Sequence, residues 1–107
     1  MGSSSLYVVA VTMIIYTIAA PTVRADEFVP VNVNDPHVQD VGSWAVAMHN
    51  QLAKSALVFN KVVSGEKELA YSTIYHLVLY ASNAKYLAYV FEAEDPESRV
   101  LNKFQPI

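Results

Sequence analysis

The stretch from Asp35 to Leu52 reads DPHVQDVGSWAVAMHNQL, and it decides the fold because it has the spacing of an amphipathic helix. Asp35 suits the N-cap, and Pro36 suits the first helical position, where its missing N–H removes no hydrogen bond. Trp44 and Val46 widen an apolar stripe whose members recur at steps of three and four residues, at Val38, Val41, Ala45, Met48 and Leu52. We expect one helix, from about Pro36 to Lys54.

The chain on both sides of this helix has the composition of β-strands. Before it, residues 26–34 alternate apolar and polar side chains, and Pro30 restricts a strand there to a sheet edge. After it, strand patterns cover residues 56–63, 69–81, 85–92 and 100–107. The residues from Ser64 to Glu68 and from Ser82 to Ala84 have the chemistry of turns. The sequence therefore predicts an α+β domain, a single helix packed on an antiparallel sheet of four or five strands.

The composition argues against several classes of function. The chain has 107 residues, of which 53 % are hydrophobic, and this fits one small folded domain rather than a disordered chain. Ten acidic against seven basic residues leave few cations to neutralise nucleic-acid phosphates. The absence of cysteine excludes a disulfide scaffold and a thiol nucleophile. The three histidines and the acidic run from Glu92 to Glu97 lack metal-ligand spacing, so we expect no metal, no cofactor and no enzymatic site.

The first 25 residues have the layout of a secretory signal peptide. Leu6 to Ala20 is apolar and uncharged, and Val23 and Ala25 frame a cleavage site before Asp26. An apolar run of this length falls short of the roughly 20 residues that a membrane span needs. We therefore expect residues 1–25 to be a signal peptide and residues 26–107 a single secreted domain that has no membrane attachment after cleavage.

The helix segment resembles the signature of plant cystatins, the phytocystatins. That pattern has an aliphatic residue, a small one, a charged one, Phe or Tyr, Ala, Val, two variable positions, His or Tyr, and Asn. Six positions fit it, namely Val41, Gly42, Ala45, Val46, His49 and Asn50, whereas Ser43, Trp44 and Met48 depart. The segments from Leu57 to Val63 and from Leu101 to Ile107 are similar to the second and the C-terminal strands of the family. The resemblance covers nearly all of residues 26–107.

The resemblance implies a fold and a function. Cystatins inhibit papain-like cysteine proteases without chemistry on the inhibitor, because a wedge of three segments fills the active-site cleft. Glycine in the wedge allows the backbone to approach closely, and a tryptophan acts as an anchor. The resemblance places the wedge in a trunk at Asp26, Glu27 and Phe28, a first hairpin loop at Glu68, Leu69, Ala70, Tyr71 and Ser72, and a second hairpin loop at Glu94, Asp95, Pro96 and Glu97.

The position of the first loop has two readings. Counting forward from Asn50 in family spacing gives Glu68 to Ser72, which we favour. A local match to the family's loop motif, Gln-x-Val-x-Gly, picks Lys61 to Gly65 instead, because that stretch keeps the central Val and the Gly. The favoured reading makes the second strand run through Gly65, which would then mark a bulge.

The wedge residues depart from the family pattern. Asp26 and Glu27 stand where relatives have glycine, and Trp44, the only tryptophan, lies in the helix. Burial of unpaired acidic side chains in a cleft is costly, so we expect weakened inhibition of a papain-like partner. The alternative is a non-inhibitory binding or structural protein with a cystatin fold. We expect a monomer, although a strained hairpin also permits a domain-swapped dimer.

Overall fold

A computed structural model describes residues 27–69, 72–93 and 98–107. These residues form one helix and five strands, in the order β1 (Phe28–Pro30), α1 (Pro36–Ala53), β2 (Phe59–Leu69), β3 (Thr73–Ala81), β4 (Ala84–Glu92) and β5 (Arg99–Pro106). The helix packs on one face of the sheet, so the predicted α+β architecture is confirmed. The predicted signal peptide, residues 1–25, lies outside the described residues. Over the part that is described, no helix combines the length and the hydropathy of a membrane span.

The helix begins and ends close to the predicted positions. The Asp35 side chain accepts a hydrogen bond of 2.9 Å from the His37 N–H, and Pro36 begins the helix. The left-handed conformation of Lys54 ends it, with its N–H donating to the Asn50 carbonyl. The stripe packs on the sheet through Val38, Val41, Gly42, Ala45 and Val46. The prediction that Leu52 belongs to the buried stripe is wrong, because this residue is 71 % exposed.

Two side-chain amides hold the helix to the chain segments beside it. Gln39 pairs with the backbone of Val62 in both directions, donating to its carbonyl at 3.1 Å and accepting from its N–H at 2.9 Å. Asn50 does the same with Leu57, at 2.8 Å and 3.0 Å. Each side-chain amide thus provides hydrogen-bond partners for one backbone N–H and one backbone carbonyl, as partly buried polar groups require. Asn50, a position of the family signature, therefore has a structural role here.

All five strands lie antiparallel in chain order, from β1 at one edge to β5 at the other. Side chains alternate between a buried face under α1 and an opposite, half-buried face, which we call the open face. The buried face carries Tyr75, Leu77, Leu79, Ala88 and Val90, and the open face carries Ile74, His76, Val78, Tyr80, Leu87, Tyr89 and Phe91. Ser82 and Asn83, both with positive φ, connect β3 to β4 as the predicted tight turn.

The turn predicted from Ser64 to Glu68 is wrong. All five of these residues belong to β2, which pairs without interruption from Ser64 to Leu69 with β3. Gly65 is not a bulge, because it pairs directly with Leu77; the irregularities lie between Phe59 and Lys61 and between Val62 and Ser64. A Cβ at Gly65 would lie 2.6 Å from the His76 carbonyl oxygen. The glycine there allows two strands to approach closely and does not mark a turn.

Candidate functional site

The strand register brings the three segments of the expected wedge together at one end of the strands. One row of cross-strand partners runs from Phe28 to Glu68, Ile74, Phe91 and Val100, and thus crosses all five strands. Beyond this row lie the start of the described chain, the β2–β3 hairpin between Leu69 and Thr73, and the β4–β5 hairpin between Glu92 and Arg99. We call this end of the sheet, where the strands terminate on the side away from Ser82 and Asn83, the loop edge.

The described wedge residues differ in exposure. Glu27 is exposed, while Phe28, Glu68 and Ser72 are half-buried. Leu69 is 52 % exposed at the end of β2, and its apolar side chain is therefore available to a partner. The remaining predicted residues lie outside the described part of the chain: Asp26, Ala70, Tyr71, Glu94, Asp95, Pro96 and Glu97.

The structure separates the two readings of the first loop. Lys61 to Gly65 lies inside β2, so the second reading is wrong as a hairpin loop. Glu68 and Leu69 end β2, and Thr73 begins β3 opposite Leu69. The hairpin therefore falls where the family spacing places it. The role of these residues in binding stays a prediction.

Charged side chains, which the sequence reasoning missed, close the base of the β4–β5 hairpin. Glu92 and Arg99 are direct cross-strand partners, and the Arg99 Nε donates to Glu92 Oε2 at 2.7 Å. The helix adds His37, whose Nε2 lies 2.7 Å from Glu92 Oε1, and Asp40, which accepts from Arg99 Nη2 at 2.9 Å. The Arg99 guanidinium also lies over the Trp44 ring, 5.8 Å from its centroid. This network ties the second hairpin to the first turns of α1.

Burial shapes the electrostatics of this network. The side chains of Glu92 and Arg99 are 8 % and 7 % exposed. Burial alone lowers the pKa of the Arg99 guanidinium, but hydrogen bonds to Glu92 and Asp40 outweigh it and raise the pKa above its usual range. Burial, together with the nearby charge of Glu92, raises the pKa of Tyr75 to about 12. The phenol is therefore neutral at physiological pH.

A row of stacked side chains crosses the open face beside the loop edge. The Phe28 and His76 rings stack with centroids 4.6 Å apart, and the His76 and Tyr89 rings stack at 3.8 Å. The Lys103 Nζ lies 5.1 Å from the centre of the Tyr89 ring. We call these four residues the open-face stack. Only the pairing register reveals it, because its members come from β1, β3, β4 and β5.

The described residues show no constellation for metal chemistry. Nowhere in residues 27–69, 72–93 and 98–107 do three His, Cys, Asp or Glu side chains gather as metal ligands would. His37 contacts Glu92, His49 stacks on Phe104 at 4.1 Å, and His76 belongs to the open-face stack. Each histidine therefore has a packing or pairing partner of its own.

Comparison with known proteins agrees with this geometry. A rice protein named putative cysteine proteinase inhibitor 7 is 38 % identical over the whole chain and 97 % of its own length. Cysteine proteinase inhibitor 5 of Arabidopsis thaliana is 35 % identical over 94 % of the chain and 86 % of its own length. Cystatin-1 of Zea mays is 31 % identical over 74 % of the chain and 62 % of its own length. The chain belongs to the plant cystatin family.

A family model adds a second comparison for this plant cystatin. The model described as aspartic acid proteinase inhibitor matches residues 31–107, which include α1 and strands β2 to β5. The names of the relatives and the description of the family model thus refer to two protease classes. All of them describe inhibitors and none describes an enzyme.

Proposed function

We propose that this plant cystatin inhibits papain-like cysteine proteases by inserting its loop edge into the active-site cleft. The observation that carries the proposal is the register row, which joins Phe28 and both hairpins along a single edge of a five-stranded sheet. Such an edge presents three chain segments side by side, as a cleft requires. The names of relatives that match nearly the whole chain support the same target class.

The contacts would come from Glu27 and Phe28, from the first hairpin at Glu68 to Ser72, and from the second hairpin at Glu94 to Glu97. Among the described residues of this edge, Leu69 at the end of β2 and Val100 in β5 each leave about half of an apolar side chain exposed, and Leu69 is the one that borders the first hairpin of the wedge. We propose weakened affinity, because Asp26 and Glu27 replace glycine in the trunk and acidic residues take the place of the tryptophan anchor in the second hairpin. The only tryptophan, Trp44, packs in the helix under Arg99 and is not available as an anchor.

A pair of leucine variants tests the role of the loop edge. Leu69→Asp places a charge in the proposed interface, whereas Leu52→Asp changes a leucine that is 71 % exposed at the C-terminal end of α1. Loss of an anchor of about 2 kcal/mol weakens binding roughly 30-fold, and this is the increase in the papain inhibition constant expected for Leu69→Asp. Leu52→Asp should keep the wild-type constant.

Two results would contradict the proposal. One is equal weakening by both leucine variants, which would place the contact away from the loop edge. The other is a wild-type protein that is folded by circular dichroism and yet leaves papain fully active at about 100 µM, a concentration at which even a weak millimolar complex begins to form. The second result would favour the alternative of a non-inhibitory cystatin-fold binding protein.

A second candidate target is an aspartic protease. The observation that favours it is the family model described as aspartic acid proteinase inhibitor, which matches residues 31–107. The same inhibition assay with a pepsin-like enzyme in place of papain separates the two targets. Inhibition of the aspartic enzyme alone would move the proposal to that class.

We also propose that the protein acts outside the cytoplasm, after removal of residues 1–25 as a signal peptide. The support is the uncharged apolar run from Leu6 to Ala20 that precedes small residues. The mass of the protein from the medium of cells that express the whole chain would show whether it begins at Asp26. Light scattering on that material tests the expected monomer against the domain-swapped dimer.

A further inference from the structure

The first strand is held weakly by its own backbone. β1 has three residues, and Pro30 among them has no N–H to donate. Beyond the strand, the Val31 N–H donates to the Gly65 carbonyl at 3.0 Å. An edge strand with so few ladder bonds should open readily, because local opening depends on the number of contacts that must break.

The side chain of Phe28 supplies a contact that the backbone lacks. Its ring reaches across β2 and stacks on His76 of β3, with the centroids 4.6 Å apart and the planes at 27°. His76 stacks in turn on Tyr89, its direct cross-strand partner in β4, at 3.8 Å. The carboxylate of Glu66, in the strand that Phe28 crosses, lies 3.9 Å from His76 Nδ1.

We propose that His76 is a positioning residue for the protease-binding function. It holds Phe28, and with it the described part of the trunk, at the loop edge. This inference rests on the proposed function. A segment that is ordered before binding does not lose that conformational freedom on binding, so the inhibitor gains affinity without a new contact to the protease. His76 lies two cross-strand rows behind the row that contains Phe28 and Glu68, on the same face of the sheet, and acts through Phe28.

Three variants of the full-length protein separate positioning from general stability. His76→Thr removes the stacked ring and keeps a good strand former, while His76→Phe keeps a flat ring between Phe28 and Tyr89. Tyr80→Thr is the matched control, since Tyr80 is another half-buried aromatic residue of the same face of β3 and contacts Lys85 instead. Two quantities are measured for each variant: the exchange rate of the Val31 amide and the inhibition constant for papain.

An aromatic pair contributes an amount that corresponds to about a 2- to 10-fold change in an equilibrium. We expect His76→Thr to accelerate Val31 exchange and to weaken inhibition by factors in this range. His76→Phe should restore both values, and Tyr80→Thr should change neither. Combining His76→Thr with Phe28→Ala should weaken inhibition no further than Phe28→Ala alone, because His76 acts through that ring.

Each contrary outcome is decisive. Unchanged Val31 exchange in His76→Thr, or an equal effect of Tyr80→Thr, would overturn the positioning role. Additive effects of His76→Thr and Phe28→Ala on inhibition would also overturn it. A wild-type protein without inhibitory activity would overturn the proposed function and the binding role of His76 with it. The Val31 exchange rates would still show, without any protease, whether the stack holds the segment.

Discussion

Replacement of Arg99 by methionine should destabilise the domain because it leaves a buried carboxylate with too few partners. Glu92 is 8 % exposed and uses one oxygen for Arg99 and the other for His37, each at 2.7 Å. Loss of one member of a buried ion pair costs about 3–5 kcal/mol. Because Glu92 keeps its contact with His37, we expect the free energy of unfolding to fall by about 3 kcal/mol, the lower end of this range. For a domain of this size, that lowers the melting temperature by about 12–24 °C.

The double variant Glu92→Leu/Arg99→Met identifies the cause of that loss. With both charges gone no ion remains unpaired, and the half-exposed His37 and Asp40 can bind water, so most of the stability should return. Lys61→Met is the charge-matched control, since Lys61 is exposed and should change stability by less than about 0.5 kcal/mol. Thermal and urea unfolding followed by circular dichroism measure all four proteins. A loss below about 1 kcal/mol in Arg99→Met, or a double variant no more stable than that single variant, would show that an unpaired Glu92 does not cause the destabilisation.

Two further predictions concern the core. Gly42→Ala should lower the free energy of unfolding by about 1–2 kcal/mol, because the new Cβ overlaps the Val62 side chain and lies 3.2 Å from Phe59. This overlap outweighs the better helix propensity of alanine. Equal or higher stability in urea unfolding would contradict the prediction. Between pH 10 and pH 12, Tyr75 should lower the free energy of unfolding by about 2 kcal/mol. The tyrosine pKa is near 10 in the unfolded chain and about 12 at Tyr75 in the folded one, so the unfolded state ionises more over that range. Tyr75→Phe should lack this part of the loss, and an unchanged pH profile in that variant would show that other groups cause it.

Local patterns in the sequence were sufficient to predict the bounds of the helix and the ends of several strands. The N-cap Asp35, Pro36 and the apolar stripe located α1 to within one residue at its C-terminal end. Ser82 and Asn83 have local turn chemistry, and the chain does turn there. Local turn chemistry gave a wrong prediction at Gly65, because glycine is favoured both in turns and where two strands approach closely. The distance to the His76 carbonyl, which decides between them, is set by the tertiary structure.

The parts of the site that were missed depend on which residues become neighbours. His37 and Glu92 are 55 positions apart in the chain, and Phe28 and His76 lie on strands that are not even adjacent. No local pattern distinguishes such residues from ordinary surface side chains. The family spacing placed the first hairpin between the ends of β2 and β3, where the structure has it, whereas turn chemistry alone pointed to the interior of β2.

The proposed function requires that the loop edge, and no other surface, binds a cysteine protease. The most direct measurement is a titration of the ¹⁵N-labelled protein with papain whose active-site thiol is blocked by a small reagent. We expect amide shifts at Phe28, around the β2–β3 hairpin and at Glu92 and Arg99, with little change at Ser82 and Asn83 at the opposite end of the sheet. Shifts centred on Ser82 and Asn83, or no shifts at about 100 µM papain, where even weak binding is detectable, would contradict it.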